Sequence, residues 1–521
     1  MTQSVWKKAA TIILIGLLVI TMTPVTGLAD ETDVPTTGFE DRNGDGWTTQ
    51  EEELAFLEEV AATSDRVAYS EIGTTVEGRP LHLIRVGFPA PPTDEEIADG
   101  RNMLVVGSQH GNEGAPREMA LQLLRNLAFT DDPVLLDQLQ EATILFIPTA
   151  NPDGRAANTR ANAEGIDINR EHLSMRTNEV KAIASVLEEF TPDITVDGHE
   201  RPRDSGNPDM EMLWPRNLNV DEQLRSLNQE MVEDYLLPEV EEAGFTTGLY
   251  GSPGGAGGGD ERILRNILGL RNGIGLLTES AGLQEPQRRV DMQMRTLESV
   301  LSFYRERFDD VGAVVSGAPE RQQAAGSDQT EPFYLDGADN FDPTTILETK
   351  PSGYLLTNDQ TQEVEIYKEL FAIETEAING GGMYAAMDQP KMGILPFLFD
   401  ERATYTQVEG IALYDSTDVG TAANMKSLVA HFEEEGEFEE AENARALDLH
   451  LTAVDRFEKK EKADKVIKHM HSFNRLLAYQ RDNEFISELA YSNLQKYAAY
   501  IIGKWETPSD STNVVGQVNE G

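Results

Sequence analysis

The stretch Asn102-Met103-Leu104-Val105-Val106-Gly107-Ser108-Gln109-His110-Gly111-Asn112-Glu113-Gly114 decides how the chain is read. Its first half, NMLVVG, is a short unbroken apolar run, the pattern of a strand buried on both faces of a sheet. Its second half is polar and bounded by glycines, and Arg117 to Leu127 then show the periodicity of an amphipathic helix. The same strand-then-polar-cluster pattern recurs downstream. Thr143 to Pro148 runs into Asn151-Pro152-Asp153-Gly154, and Asp193 to Val196 into Asp197-Gly198-His199-Glu200. Gly273 to Thr278 ends at Glu279. Such alternation over residues 53–309 predicts an α/β domain, a mixed and mostly parallel sheet flanked by helices. Ligands bind beyond the carboxyl ends of strands in open α/β sheets, so four clusters distant in sequence are expected in one crevice.

Within that crevice the residue types suit a metal. His110 and Glu113, three residues apart in a glycine-bounded turn, can face one ion, and His199 can supply a third ligand. A His2Glu set leaves a position open for water, and imidazole ligands favour zinc over calcium.

The set HGNEG, NPDG, Arg160 followed by GIDINRE, DGHE, YGSPGG and LLTES resembles the zinc metallocarboxypeptidase family typified by carboxypeptidase A. The motifs stand in family order over about half the chain, and NPDG followed by G-x-D-x-N-R is their most specific part. The resemblance implies one zinc ion on His110, Glu113 and His199, with Glu279 as general base and acid. It implies that Asn169 and Arg170 hold the terminal carboxylate of the substrate and that Arg160 stabilises the oxyanion. Tyr250 matches the mobile tyrosine loop. Departures concern the substrate: Asn112 stands where many relatives have Arg, Glu200 follows His199, and residues 254–259 are glycine-rich. Asp260 reads as a helix N-cap or as a selector of basic residues. The reaction implied is removal of a C-terminal residue from peptides or proteins with a free C-terminus. A cell-wall peptidase cutting γ-D-glutamyl-diaminopimelate links is the alternative. The third reading is an inactive binding protein on the same fold, against which the intact ligands and Glu279 argue.

Outward from this domain, residues 1–29 read as a secretory signal. Lys7 and Lys8 precede an apolar run from Ala9 to Ile20, and Gly27-Leu28-Ala29 is a small-residue cleavage site. The run falls short of the roughly 20 residues a spanning helix needs. A secreted protein with no membrane span after cleavage is expected. Residues 30–52 are expected as a linker carrying an EF-hand-like loop. Asp41, Asn43, Asp45, the Trp47 carbonyl and Glu52 would bind calcium, with Gly46 at the sharp turn.

Toward the C-terminus, residues 310–330 are rich in Ala, Gly, Ser and Gln and read as a linker, and 331–420 as a small accessory β-rich module. Residues 421–507 are strongly helical in period, in Leu428…Phe432, Leu447…Leu451…Val454…Phe457 and Phe473…Leu476…Leu477. With HFEEEGEF and ISELAYSNLQ they resemble the FIMAH domain. Residues 508–521 read as a disordered tail.

Composition sets the outer bounds. At 521 residues the chain exceeds the roughly 250–300 that one core supports. It has no cysteine, which excludes disulfides, thiol nucleophiles and zinc ribbons. Asp and Glu number 91 against 43 Lys and Arg, a formal charge of −48, which argues against nucleic-acid partners. Metal sites consume only a handful of these acids, so the excess points to a salt-adapted extracellular protein.

Overall fold

The computed structural model describes residues 34–202, 208–251, 260–340 and 342–506. The signal, the C-terminal tail and the glycine-rich run 254–259 lie outside the described residues.

Eight strands form one sheet: β1 Val67–Thr74, β2 Pro80–Val86, β3 Asn102–Val106, β4 Thr143–Ile147, β5 Ile194–Arg201, β6 Met210–Leu213, β7 Thr247–Leu249 and β8 Ile274–Ala281. Their spatial order is β1-β2-β4-β3-β5-β8-β6-β7. The central strands β4, β3, β5 and β8 are parallel, and the hairpin β1–β2 and strand β6 join them antiparallel. The quoted run NMLVV is β3, with every residue buried. Leu104 and Val106 face the helices Asn178–Phe190 and Leu264–Leu270. Met103 and Val105 face the helices Ala115–Ala128 and Pro286–Glu306. Two covered faces explain why the strand reads as continuous rather than alternating.

Three expectations outside the sheet need correction. Residues 310–330 are no linker, because Phe308–Ser327 is a continuous helix with Pro319 inside it. Arg321 pairs with Asp221 at 2.7 Å, and the Gln322 side chain donates to the Asn219 carbonyl at 3.0 Å. Its small residues, read as a loop composition, allow close packing. Residues 34–52 are likewise docked rather than linking: a short helix, Gly38–Asp41, leads into the loop, and Thr37, Phe39 and Thr48 are fully buried.

The accessory strands are present, yet they do not form a separate module. β9 Phe333–Tyr334 pairs with β10 Ile346–Leu347, and β11 Gly353–Leu356, β12 Glu376–Ala377, β13 Met383–Ala386 and β14 Ile411–Leu413 form an antiparallel sheet. Side chains alternate across a strand, so Tyr354 and Leu356 join the core of the α/β domain while Leu355 joins the helical one. On β14, Ala412 faces the former and Ile411 and Leu413 the latter.

The helical domain is four helices, Ala422–Glu434, Ala441–Glu458, Ala463–Asp482 and Glu488–Glu506. Leu428, Leu447, Leu451, Val454, Phe473 and Leu477 are buried together, as their spacing predicts. No helix among the described residues is long and apolar enough to cross a membrane.

Candidate metal centre

His110, Glu113 and His199 meet at the carboxyl edge of the sheet. The turn after β3 carries the first two, and it can be this tight because it packs backbone to backbone on the turn after β4. A Cβ on Gly111 would lie 1.9 Å from the Gly154 carbonyl carbon, so HGNE and NPDG each need their glycine. Asn151 caps the helix Pro152–Ala157, its side chain accepting from the Gly154 amide at 2.8 Å. His199 lies on β5, beside Glu279 of β8 in parallel register.

The three side chains are buried and aim the right atoms at one another. His110 Nδ1 lies 2.8 Å from Glu113 Oε1, His199 Nδ1 2.9 Å from Glu113 Oε2, and the two Nδ1 atoms 3.1 Å apart. Each outward Nε2 faces a carboxylate: Asp167 Oδ1 at 3.1 Å from His110 and Asp197 Oδ1 at 2.8 Å from His199. A carboxylate behind each imidazole sets its tautomer and orients a metal ligand. With both Nε2 atoms turned outward to carboxylates, both Nδ1 atoms turn inward to the Glu113 carboxylate, a place that calls for positive charge. Such a donor set fits a cation, and its imidazole–carboxylate chemistry fits zinc.

The electrostatics agree. Burial works against the charge of Glu113, but His110 and His199 hold its pKa down at about 2. Burial also opposes charge on His199, yet Asp197 and Glu113 raise its pKa well above the ordinary value. Glu279, almost wholly buried, is pushed up to about 7 by desolvation, with His199 opposing and Glu113 adding. Its Oε2 has no hydrogen-bond partner among the described residues, as suits a carboxylate kept for a substrate or water.

The remaining expected residues divide. Arg160 reaches the cluster, Nη1 lying 3.1 Å from His110 Nδ1 while Nε donates to Asp167 at 3.0 Å; its side chain is 48% exposed. Arg155 turns away, donating to the Thr48 carbonyl at 2.8 Å. Arg170 lies at the rim, 3.5 Å from Asp260. Asn169 is buried and engaged: its Oδ1 accepts from the Leu264 amide at 2.9 Å and its Nδ2 lies 2.9 Å from His199 Nε2. It ties the helix Leu264–Leu270 to β5, its Nδ2 also reaching Asp197 Oδ2 at 3.5 Å. Asp260 grips Arg262 at 2.9 and 3.0 Å. Tyr250 follows β7, its amide bonded to the Met212 carbonyl at 2.9 Å.

Sequence reasoning missed Asp167, Asp197 and the buried Gln109–His172 pair behind Asp197, Gln109 donating to it at 2.6 Å. The signal was there in D-G-H and D-I-N-R, an acid two residues before a ligand or an Asn-Arg pair.

The loop at 41–52 is arranged differently. Gly46 sits at φ 107°, as a sharp turn requires. Arg42, however, places its guanidinium on both oxygens of Glu52, at 2.6 and 2.9 Å, and on the Trp47 carbonyl at 2.9 Å. Two of the five expected calcium ligands thus already hold an internal cation, and Glu52 also closes a capping box with Thr49.

Two regions of the chain match known families. Residues 53–192 match the family model of zinc carboxypeptidases, and residues 422–503 that of the FIMAH domain. Carboxypeptidase 2 of Trichophyton rubrum is 27% identical over 297 residues, 53% of this chain and 55% of its own length. Carboxypeptidase E of Caenorhabditis elegans is 34% identical over 116 residues, covering 19% and 24%. The chain thus spans about half the length, or less, of these curated relatives. A solved metallo-carboxypeptidase from Pseudomonas aeruginosa aligns at 21% identity over 50% of this chain and 69% of its own, with a TM-score of 0.42. The chain is thus similar to zinc carboxypeptidases over residues 53–192 and to the FIMAH domain over residues 422–503.

Proposed function

We propose that the protein is a secreted zinc-dependent metallocarboxypeptidase that hydrolyses the C-terminal peptide bond of peptides and proteins. The observation that carries this reading is the ring of His110, Glu113 and His199 with the buried carboxylate of Glu279 beside it in register. Those three residues would hold zinc, which when bound supplies Lewis acidity to the scissile carbonyl and lowers the pKa of water. The protein's own groups account for the rest. Glu279 takes a proton from the attacking water and returns it to the leaving amine. Arg160, part exposed and facing the cluster, stabilises negative charge on the carbonyl oxygen. Arg170 at the rim anchors the free carboxylate, its planar fork matching two oxygens. Asn169, buried against His199 and Leu264, supports that rim by positioning rather than by open contact.

Blocked dipeptides and longer peptides, offered to the zinc-loaded protein with free and with amidated C-termini, test the reading. Release of the last residue from free-acid substrates alone is expected. Stoichiometric zinc without turnover on any of them would overturn it, and cleavage confined to muropeptides would transfer the activity to the cell wall.

A further inference from the structure

We infer that Trp47 is a positioning residue for the metal centre, pressing the turn that carries Glu113 against the strand end that carries His199. The inference rests on the reading that these ligands hold zinc, and it gives the docked N-terminal segment a function independent of any ion in its own loop.

The indole lies flat on Gly114, the residue after Glu113. A Cβ on Gly114 would stand 2.5 Å from Trp47 Cδ2 and 2.6 Å from Cε2, so the turn and the ring are in full contact. Gly114 also begins the helix Ala115–Ala128 without any side-chain cap, leaving that helix start to be held from outside. Phe39, itself fully buried, stacks on the indole at 5.0 Å and 9°. The ring therefore packs on both Phe39 and the ligand turn.

A second arm runs through Arg289. Its guanidinium lies 4.8 Å from the Trp47 ring centroid and grips Glu200 at 2.6 and 2.7 Å. Glu200 directly follows His199. Its amide donates to Glu113 Oε2 at 3.1 Å, and its own Oε2 accepts from the Ala115 amide at 3.1 Å. The circuit closes: indole to Gly114 and Glu113, Glu113 to Glu200, Glu200 to Arg289, Arg289 to indole. Both ligand-bearing segments are fixed relative to one another by a ring from a third.

The backbone that carries the indole is anchored, because Thr48 next to it is held on three sides. The Thr48 amide and hydroxyl donate to Glu118 at 2.9 and 3.0 Å, and its carbonyl accepts from Arg155 at 2.8 Å. Removing the ring would leave these ties intact while taking one support from the ligand turn, which is what makes the inference testable.

The test is competition for zinc between the full-length protein and a chelator of known affinity. Substitutions of groups that orient ligands cost on the order of 10–100-fold in metal affinity. Trp47→Ala is expected to weaken zinc by about that factor, and Trp47→Phe, which keeps an aromatic face, by less than about threefold. Arg289→Leu cuts the second arm alone and is expected to fall between them. Leu428→Ala, in the helical domain, controls for general destabilisation and is expected to leave affinity unchanged. Should Trp47→Ala not fold, the Arg289→Leu and Trp47→Phe titrations decide. Unchanged affinity in Trp47→Ala, or in Arg289→Leu when only that variant folds, would overturn the inference. A wild-type protein that binds no zinc would instead overturn the functional reading beneath it.

Discussion

Two short glycine-marked segments hold ligands suited to a metal, the loop at 41–52 and the turn at 110–113, and they differ in where the opposing charge comes from. In the loop the donors are close in sequence and mostly exposed, and a cation within the same segment, Arg42, satisfies Glu52. In the turn the donors are buried and completed from β5, with a separate carboxylate behind each imidazole. Ligand spacing alone matches a motif in both places. What separates them is long-range assembly: the sheet fixes His199 against Glu113 before any ion arrives, whereas the loop can close on itself.

The sharpest way to break this contrast is His199→Ala, which should release zinc and abolish activity together. Full metal content by atomic absorption in that variant would remove His199 from the centre. Glu279→Gln should keep zinc while turnover falls by ~10²–10⁴-fold, the usual contribution of a general base; near-normal kcat would sink its assigned role. Asp197→Asn should weaken zinc by about 10–100-fold in chelator competition, since only the tautomer and orientation of His199 change. No loss would show that the backing carboxylate is dispensable.

Smaller effects belong to the loop. Arg42→Ala should tighten calcium by up to about fivefold in titration calorimetry, the scale of an exposed ion pair that the ion no longer displaces. Weaker binding in the variant would mean the guanidinium assists the site. The same pair has a pH signature. The Arg42 guanidinium, with the Thr49 cap, lowers Glu52 to about 2. A depressed carboxylate contributes stability above its unfolded pKa and loses it as pH falls through the folded one. Wild type and Arg42→Ala should thus differ above about pH 4.5 and converge near pH 2 in acid denaturation. Least in size, the thermal midpoint should rise in molar salt as screening relieves the −48 charge; a higher midpoint in dilute buffer would refute salt adaptation.

The metal centre was legible because its residues stand where buried apolar runs end, and buried parallel strands announce themselves. His110, Glu113, His199 and Glu279 all follow such runs, so sequence position alone placed them on one edge. Asn169 was harder, since its type and spacing say nothing of whether its amide is open or taken by Leu264 and His199. Arg42 was invisible for a related reason: it occupies a loop position that contributes no ligand, and only the fold brings its side chain over Glu52. The helix Phe308–Ser327 was lost because small residues signal loops when exposed and close packing when covered. The accessory sheet was misplaced because a four-residue strand such as Gly353–Leu356 reads only as apolar, without stating which neighbour lies on either side.

That strand has a consequence for how the molecule comes apart. Tyr354 and Leu356 belong to one core and Leu355 to the other, so neither core can open without exposing the opposite side of the same four residues. The catalytic and helical domains are then coupled in folding although they match different families. Calorimetry should show one endotherm rather than two, and a protease should find no cut that liberates a stable helical fragment.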